Sequence, residues 1–192
     1  GIMASPGLVD SRFNNCPSGW GCRIVNDNLI TAFGIEDHGI EVFDHGSGET
    51  LSTSMAAAYE NKEPWFGYYW GPTVPLGKYD MTRVDLGSYK EDVHSENQNQ
   101  DTANPGVSDF PAAPVLTSVT TSFKEREPEI AELMSHVTFE TGTMSTVLAW
   151  MDENNASAEE AAVHYLTTYK DEWSGWLNDE ARKNLDAVLS SS

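Results

Sequence analysis

The sequence predicts an α/β fold that gives way to a mostly helical C-terminal part, on three observations. From residue 13 to residue 79 the apolar pattern reads strand, helix, strand, helix. The run WFGYYW at 65–70 follows a helix and precedes a turn at Gly71-Pro72, as a strand buried on both faces of an α/β sheet would. Beyond residue 115 the apolar residues fall on helical stripes.

Taken in order, residues 1–15 form an entry loop in which Phe13 opens a short strand. CPSGWGC is a tight glycine turn, and Ile24, Val25, Leu29, Ile30 and Phe33 behind it recur at helical spacing up to a natural stop at Gly34. The helix starts near Trp20–Cys22, so its free amides face whatever lies beside the turn. GIEVF at 39–43 alternates as a strand, Asp44-His45-Gly46 turns, and Leu51, Met55, Ala58 and Tyr59 mark one face of a helix over 47–61. Residues 81–86 read as extended. The polar stretch 88–114 reads as an exposed loop, because it has little apolar surface to offset its ordering entropy. A return strand at 115–123 is expected next, then helices: Pro128 opens one, Met144, Val147, Leu148 and Met151 stripe another, and Ser157 with Glu160 caps a third. A last helix or pair carries Trp173, Trp176, Leu177 and Leu185. The expected organisation is an α/β ligand-binding lobe over 1–87, the loop 88–114, and a return strand with C-terminal helices over 115–192, packing on the lobe.

Eleven Lys and Arg stand against 30 Asp and Glu, for a net charge of -19 and a pI near 4.3. That balance repels phosphate backbones and argues against nucleic-acid binding. No run approaches the roughly 18 apolar residues that span a bilayer. Gly1–Ala4 shows no signal-peptide pattern, and a chain starting at Gly reads as a processed product. Cys16 and Cys22 would close a small loop in an oxidising compartment and stay two thiols in the cytosol. They are too few for a zinc site, and no cofactor motif is present.

Two stretches carry chemistry. Trp65, Phe66, Tyr68, Tyr69 and Trp70 crowd into six positions of a chain that is 10% aromatic. Such a cluster fills a core, lines a pocket, or does both. Tyr69, Trp70 and Thr73, near the end of the expected strand, are the residues best placed to reach a ligand, and Tyr68 is counted with them as a ligand-binding candidate. Indole and phenol faces attract a quaternary ammonium, which has no N–H for hydrogen bonding. In the PSGWGC turn, Gly19 and Gly21 let backbone approach a ligand, Trp20 sits between them, and the helix-start amides suit a carboxylate. The alternative there is a structural turn. Glu36, Asp37, His38, Asp44 and His45 bring carboxylates near imidazoles, but read as solvated surface, and no hydrolase motif accompanies them. The chain is not read as an enzyme.

CPSGWGC, the helix ending in AFGI, and SMAAAYENKEPWFGYYWGPTVPLGKYDM together resemble the glycine-betaine/choline-type substrate-binding proteins of bacterial ABC transporters. DFPAAPV, FKEREPEIAELM, MSTVLAWMDENNASAEEAAVHYL and WSGWLNDEA extend the resemblance over residues 13–185. It implies a periplasmic-binding-protein type II-like lobe, a quaternary ammonium ligand (glycine betaine, choline, carnitine or similar) in an aromatic cage, a permease partner and a periplasmic or extracellular location. Trp70 takes the place of a cage Trp. Where many members carry a His three positions later, this chain has Thr73. On that resemblance the chain would correspond to the second lobe and C-terminal helices, the cage being completed in the family by an N-terminal lobe that this sequence would not include. The alternative is an isolated lobe whose exposed cleft face, with Trp20, Tyr69 and Trp70, mediates protein interaction or homodimer formation.

Overall fold

A computed structural model describes residues 1–190. The chain divides into two compact units, Gly1–Trp70 with Tyr79–Ala113, and Gly71–Lys78 with the chain from Pro114 onward.

In the first unit, two short 3-10 turns lead into strand β1 (Arg12–Asn15), helix α1 (Gly21–Phe33), strand β2 (Glu41–Asp44) and helix α2 (Gly48–Asn61). β1 and β2 pair in parallel, Arg12 opposite Glu41 through Asn15 opposite Asp44, so α1 is the crossover of a β-α-β unit. Phe13, Ile30, Ile35 and Ile40 form the core beneath α1, with Val42, Phe66 and Tyr68 against it. Phe13 and Phe66 meet edge to face, 5.0 Å between centroids. Gly34 ends α1 in the left-handed conformation, as its sequence position predicts. Leu51, Met55 and Ala58 are the buried residues of α2, whose first turn is capped by Ser47 Oγ accepting from Thr50 N at 3.2 Å.

The aromatic run departs from the expected strand. It touches the sheet through one parallel bridge, Gly67 with Asn14. Asn14 N donates to Phe66 O at 2.8 Å, and Tyr68 N donates to Asn14 O at 3.0 Å. None of residues 65–70 is fully buried, and Trp70 is 39% exposed. Gly67 permits this close approach, since a Cβ there would lie 2.5 Å from Asn14 O.

The stretch 88–114 is likewise more than an exposed loop. It contains helix α4 (Glu91–Asn97), with His94, Asn97 and Ser108 buried; the short helix α3 (Val74–Lys78) precedes it in the chain. Asn97 Nδ2 donates to Gly106 O at 2.8 Å, while Gly106 N donates to Asn97 Oδ1 at 3.0 Å. Asn28 Nδ2, on α1, bonds the carbonyls of Asn97 and Asn99 at 2.9 and 3.0 Å. Side-chain amides thus satisfy the backbone here in place of apolar burial.

In the second unit, the return strand expected at 115–123 is absent. Val115 is 95% exposed, and helix α5 (Thr121–Arg126) begins instead, capped by Thr120. The helices α6 (Pro128–His136), α7 (Thr141–Glu153), α8 (Ala158–Thr168), α9 (Lys170–Trp173) and α10 (Asp179–Leu189) follow. α3 lies against α7 so closely that a Cβ on Gly77 would fall 2.0 Å from Ser145 O. Ser157 and Glu160 form the expected capping box of α8. The core here is Val147, Ala161, Tyr165 and Trp173, with Leu166, Tyr169, Trp176 and Leu185 against it. Burial, with Glu172 beside it, pushes the Tyr165 phenol up to about 12. The apolar stripe of α6 has no buried residue, and that of α7 buries Val147 while Met144, Leu148 and Met151 stay partly exposed. No helix among the described residues is long and apolar enough to cross a membrane.

Candidate functional site

The C-terminal ends of β1 and β2 carry a polar network that fixes the CPSGWGC turn. Asn15 Oδ1 accepts from Cys16 N at 2.8 Å and from Asn26 Nδ2 at 2.9 Å, and Asn15 Nδ2 donates to Asp27 at 2.9 Å. Arg23, in the first turn of α1, donates through Nε to both Asp27 oxygens at 2.9 Å and through Nη1 to Asp44 at 2.6 Å and Cys16 O at 3.4 Å. Burial lowers the Arg23 pKa, but the bonds to Asp27 and Asp44 outweigh it and the net shift is upward. The Gly46 amide, then Arg23, hold the Asp44 carboxyl below its ordinary value. Gly19 bends the turn at φ +88, a left-handed conformation that a side chain would strain. Trp20 follows as the N-cap of α1 in extended conformation, and Gly21 is the first helical residue. A cavity of about 480 Å³ opens beside them, lined also by Arg23, Asn28 and Gln100.

Trp20 meets Trp70 edge to face, with centroids 4.8 Å apart and planes at 82°. Tyr69 stacks on Trp70 at 4.6 Å and 30°. Trp20, distant in sequence, therefore converges with the neighbouring Tyr69 and Trp70. Tyr68 goes elsewhere: it packs on the core and 5.6 Å from Phe110, and burial with contact to Cys22 pushes its phenol up. Thr73 belongs to the helical unit, where its amide donates to Ser145 Oγ at 3.3 Å. Cys16 and Cys22 are free thiols, Cys16 fully buried and in hydrogen-bond contact with Cys22. Burial foremost raises the Cys16 thiol pKa.

Two features escaped sequence reasoning. The first is the Arg23, Asp27 and Asp44 network, for which only the i, i+4 spacing of Arg23 and Asp27 gave a signal. The second is Gly48, against which the Trp20 ring lies. His45 is not the solvated residue its setting suggested. Its Nε2 bonds Asn14 Oδ1 at 2.8 Å, so Nε2–H donates, and its ring lies 4.7 Å from Phe43. Burial first, then the nearby Arg12, lowers its pKa below 6.5, with Asp44 opposing.

A depressed imidazole pKa means the folded state binds fewer protons than the unfolded one in the window below 6.5. This contribution to stability is complete above 6.5 and is lost as pH falls through the folded pKa. The urea midpoint of wild type should therefore decline on acidification below pH 6.5, and His45→Gln should flatten that decline. Equal slopes for the two proteins would refute it.

Ring faces set at a right angle can solvate a positive charge that lacks N–H groups, and helix-start amides beside them can receive a carboxylate. Among the described residues, no group of three or more His, Cys, Asp and Glu is arranged to hold a metal ion. The family model described as the substrate binding domain of ABC-type glycine betaine transport system matches residues 5–168. No curated protein matches the chain.

Proposed function

The chain belongs to the family of substrate binding domains of ABC-type glycine betaine transport systems, and we propose that it holds a quaternary ammonium headgroup on the faces of Trp20 and Trp70. Tyr69 backs Trp70. The sheet-bearing unit is read as a periplasmic-binding-protein type II lobe, and the chain as the component that presents its ligand to a permease outside the cytoplasmic membrane. The observation that carries this reading is the right-angled Trp20–Trp70 pair. Each ring contributes about 0.5–2 kcal/mol of cation–π attraction. The turn at Gly19–Gly21 supports a ligand that also bears a carboxylate, because amides at the start of the 13-residue α1 favour an anion. Glycine betaine and carnitine have that carboxylate, and choline does not.

Tryptophan fluorescence tests the reading. Titration with glycine betaine, carnitine or choline should give a saturable emission change, larger for the carboxylated ligands. A flat response to all three at millimolar concentration would count against it.

A further inference from the structure

Trp20 is confined by two neighbours. Its ring meets Trp70, and its outer atoms Cζ2 and Cη2 occupy the space where the first residue of α2 would carry a side chain. A Cβ at Gly48 would fall 2.7 Å from both atoms. We propose that Gly48 is a specificity-determining position of the quaternary ammonium site: its missing side chain is the seat of the Trp20 indole, and so sets the corner that Trp20 makes with Trp70. The inference rests on the cation-binding reading above.

Nothing else at this position calls for glycine. Its φ is not in the left-handed region, so the backbone accepts any L residue. Ser47 caps the helix with its own hydroxyl whatever follows. On helix propensity alone alanine would be favoured. A side chain at 48 would instead displace the ring by roughly 0.8 Å to reach a carbon contact of about 3.5 Å. The Trp20 backbone cannot follow easily, because its N–H donates to Pro17 O at 3.3 Å and its carbonyl accepts from Arg23 N at 3.0 Å. The ring must turn, and the 82° corner with Trp70 turns with it. A cation whose methyl groups fit that corner then loses contact with one face.

The experiment compares wild type, Gly48→Ala, Gly48→Ser, Trp20→Phe and the double variant with Gly48→Ala and Trp20→Phe. Calorimetry with glycine betaine and with tetramethylammonium gives affinity. Circular dichroism of the ligand-free proteins reports the coupled indoles, and the melting temperature reports folding. Gly48→Ala and Gly48→Ser should stay folded with melting close to wild type, the helix-propensity gain offsetting the displaced ring, change the tryptophan dichroism, and bind glycine betaine at least tenfold more weakly. In the Trp20→Phe background, where the smaller ring leaves room for a Cβ, Gly48→Ala should change affinity less than twofold. Wild-type affinity or unchanged dichroism in both Gly48 variants would overturn the inference. A wild type that binds neither cation would overturn the cation-binding reading itself. That failure is distinguishable, since the first leaves wild-type affinity intact.

Discussion

Trp70→Ala should weaken glycine betaine binding about ten- to a hundredfold. The substitution removes one cation–π face, worth about 0.5–2 kcal/mol. It also strips Trp20 of its edge-to-face partner and Tyr69 of its stacking partner, each such pair being worth about 0.5–1.5 kcal/mol. Part of that coupling holds the remaining rings in place, so affinity falls by more than the direct contact alone. With tenfold in affinity per 1.4 kcal/mol, about 1.4–2.8 kcal/mol gives the stated range. Trp70→Phe keeps a face and should lose less. Because Trp70 is 39% exposed, neither change should greatly disturb folding. Calorimetric affinities unchanged in Trp70→Ala would mean that the ligand sits elsewhere.

The largest effect on stability is expected at Trp173. It is 1% exposed and packs with Val147, Ala161 and Tyr165, and its Nε1–H donates to Leu166 O at 2.8 Å. Truncating a buried aromatic to alanine costs about 3–5 kcal/mol through lost transfer energy and the cavity left behind. Here a carbonyl loses its indole donor as well, which adds about 1 kcal/mol if it stays dry. Trp173→Ala should lower the urea midpoint of the helical unit sharply, followed by far-ultraviolet dichroism. Trp173→Phe, which keeps a ring but no donor, should cost less. A wild-type midpoint for Trp173→Ala would show that this cluster does not hold the helices.

Where structure follows from a local rule, the sequence was readable. Gly34 ends α1, Pro128 opens α6, and Ser157 with Glu160 caps α8, because each acts within a few residues of itself. Where structure depends on distant partners, it was not. Residues 88–114 look too polar to order, yet the Asn28 and Asn97 amides bond backbone groups there, which no apolar pattern reports. The β-rich composition at 115–123 suggested a strand, but no pairing partner meets it among the described residues, and a helix forms from Thr121. WFGYYW reads as a fully buried strand by composition, but among the described residues Gly67 makes its one bridge, and Trp70 is partly exposed and meets Trp20. The candidate site was therefore legible as residue types at Trp20, Tyr69 and Trp70. That Tyr68 turns to the core, that Thr73 joins the helical unit, and that Gly48 seats the Trp20 ring depend on contacts between residues distant in the chain, which no local pattern encodes.

The central claim is that aromatic faces recognise positive charge, and a neutral isostere tests it most directly. In 3,3-dimethylbutanoate a carbon replaces the nitrogen of glycine betaine, so shape and carboxylate are kept while the cationic charge is removed. Calorimetry of both compounds against the wild-type chain should show saturable binding of glycine betaine and at least tenfold weaker binding of the isostere, the loss expected when about 1.4 kcal/mol or more of cation–π attraction is removed. Equal affinity for the two, or no heat from glycine betaine at millimolar concentration, would contradict a cation site built on Trp20 and Trp70.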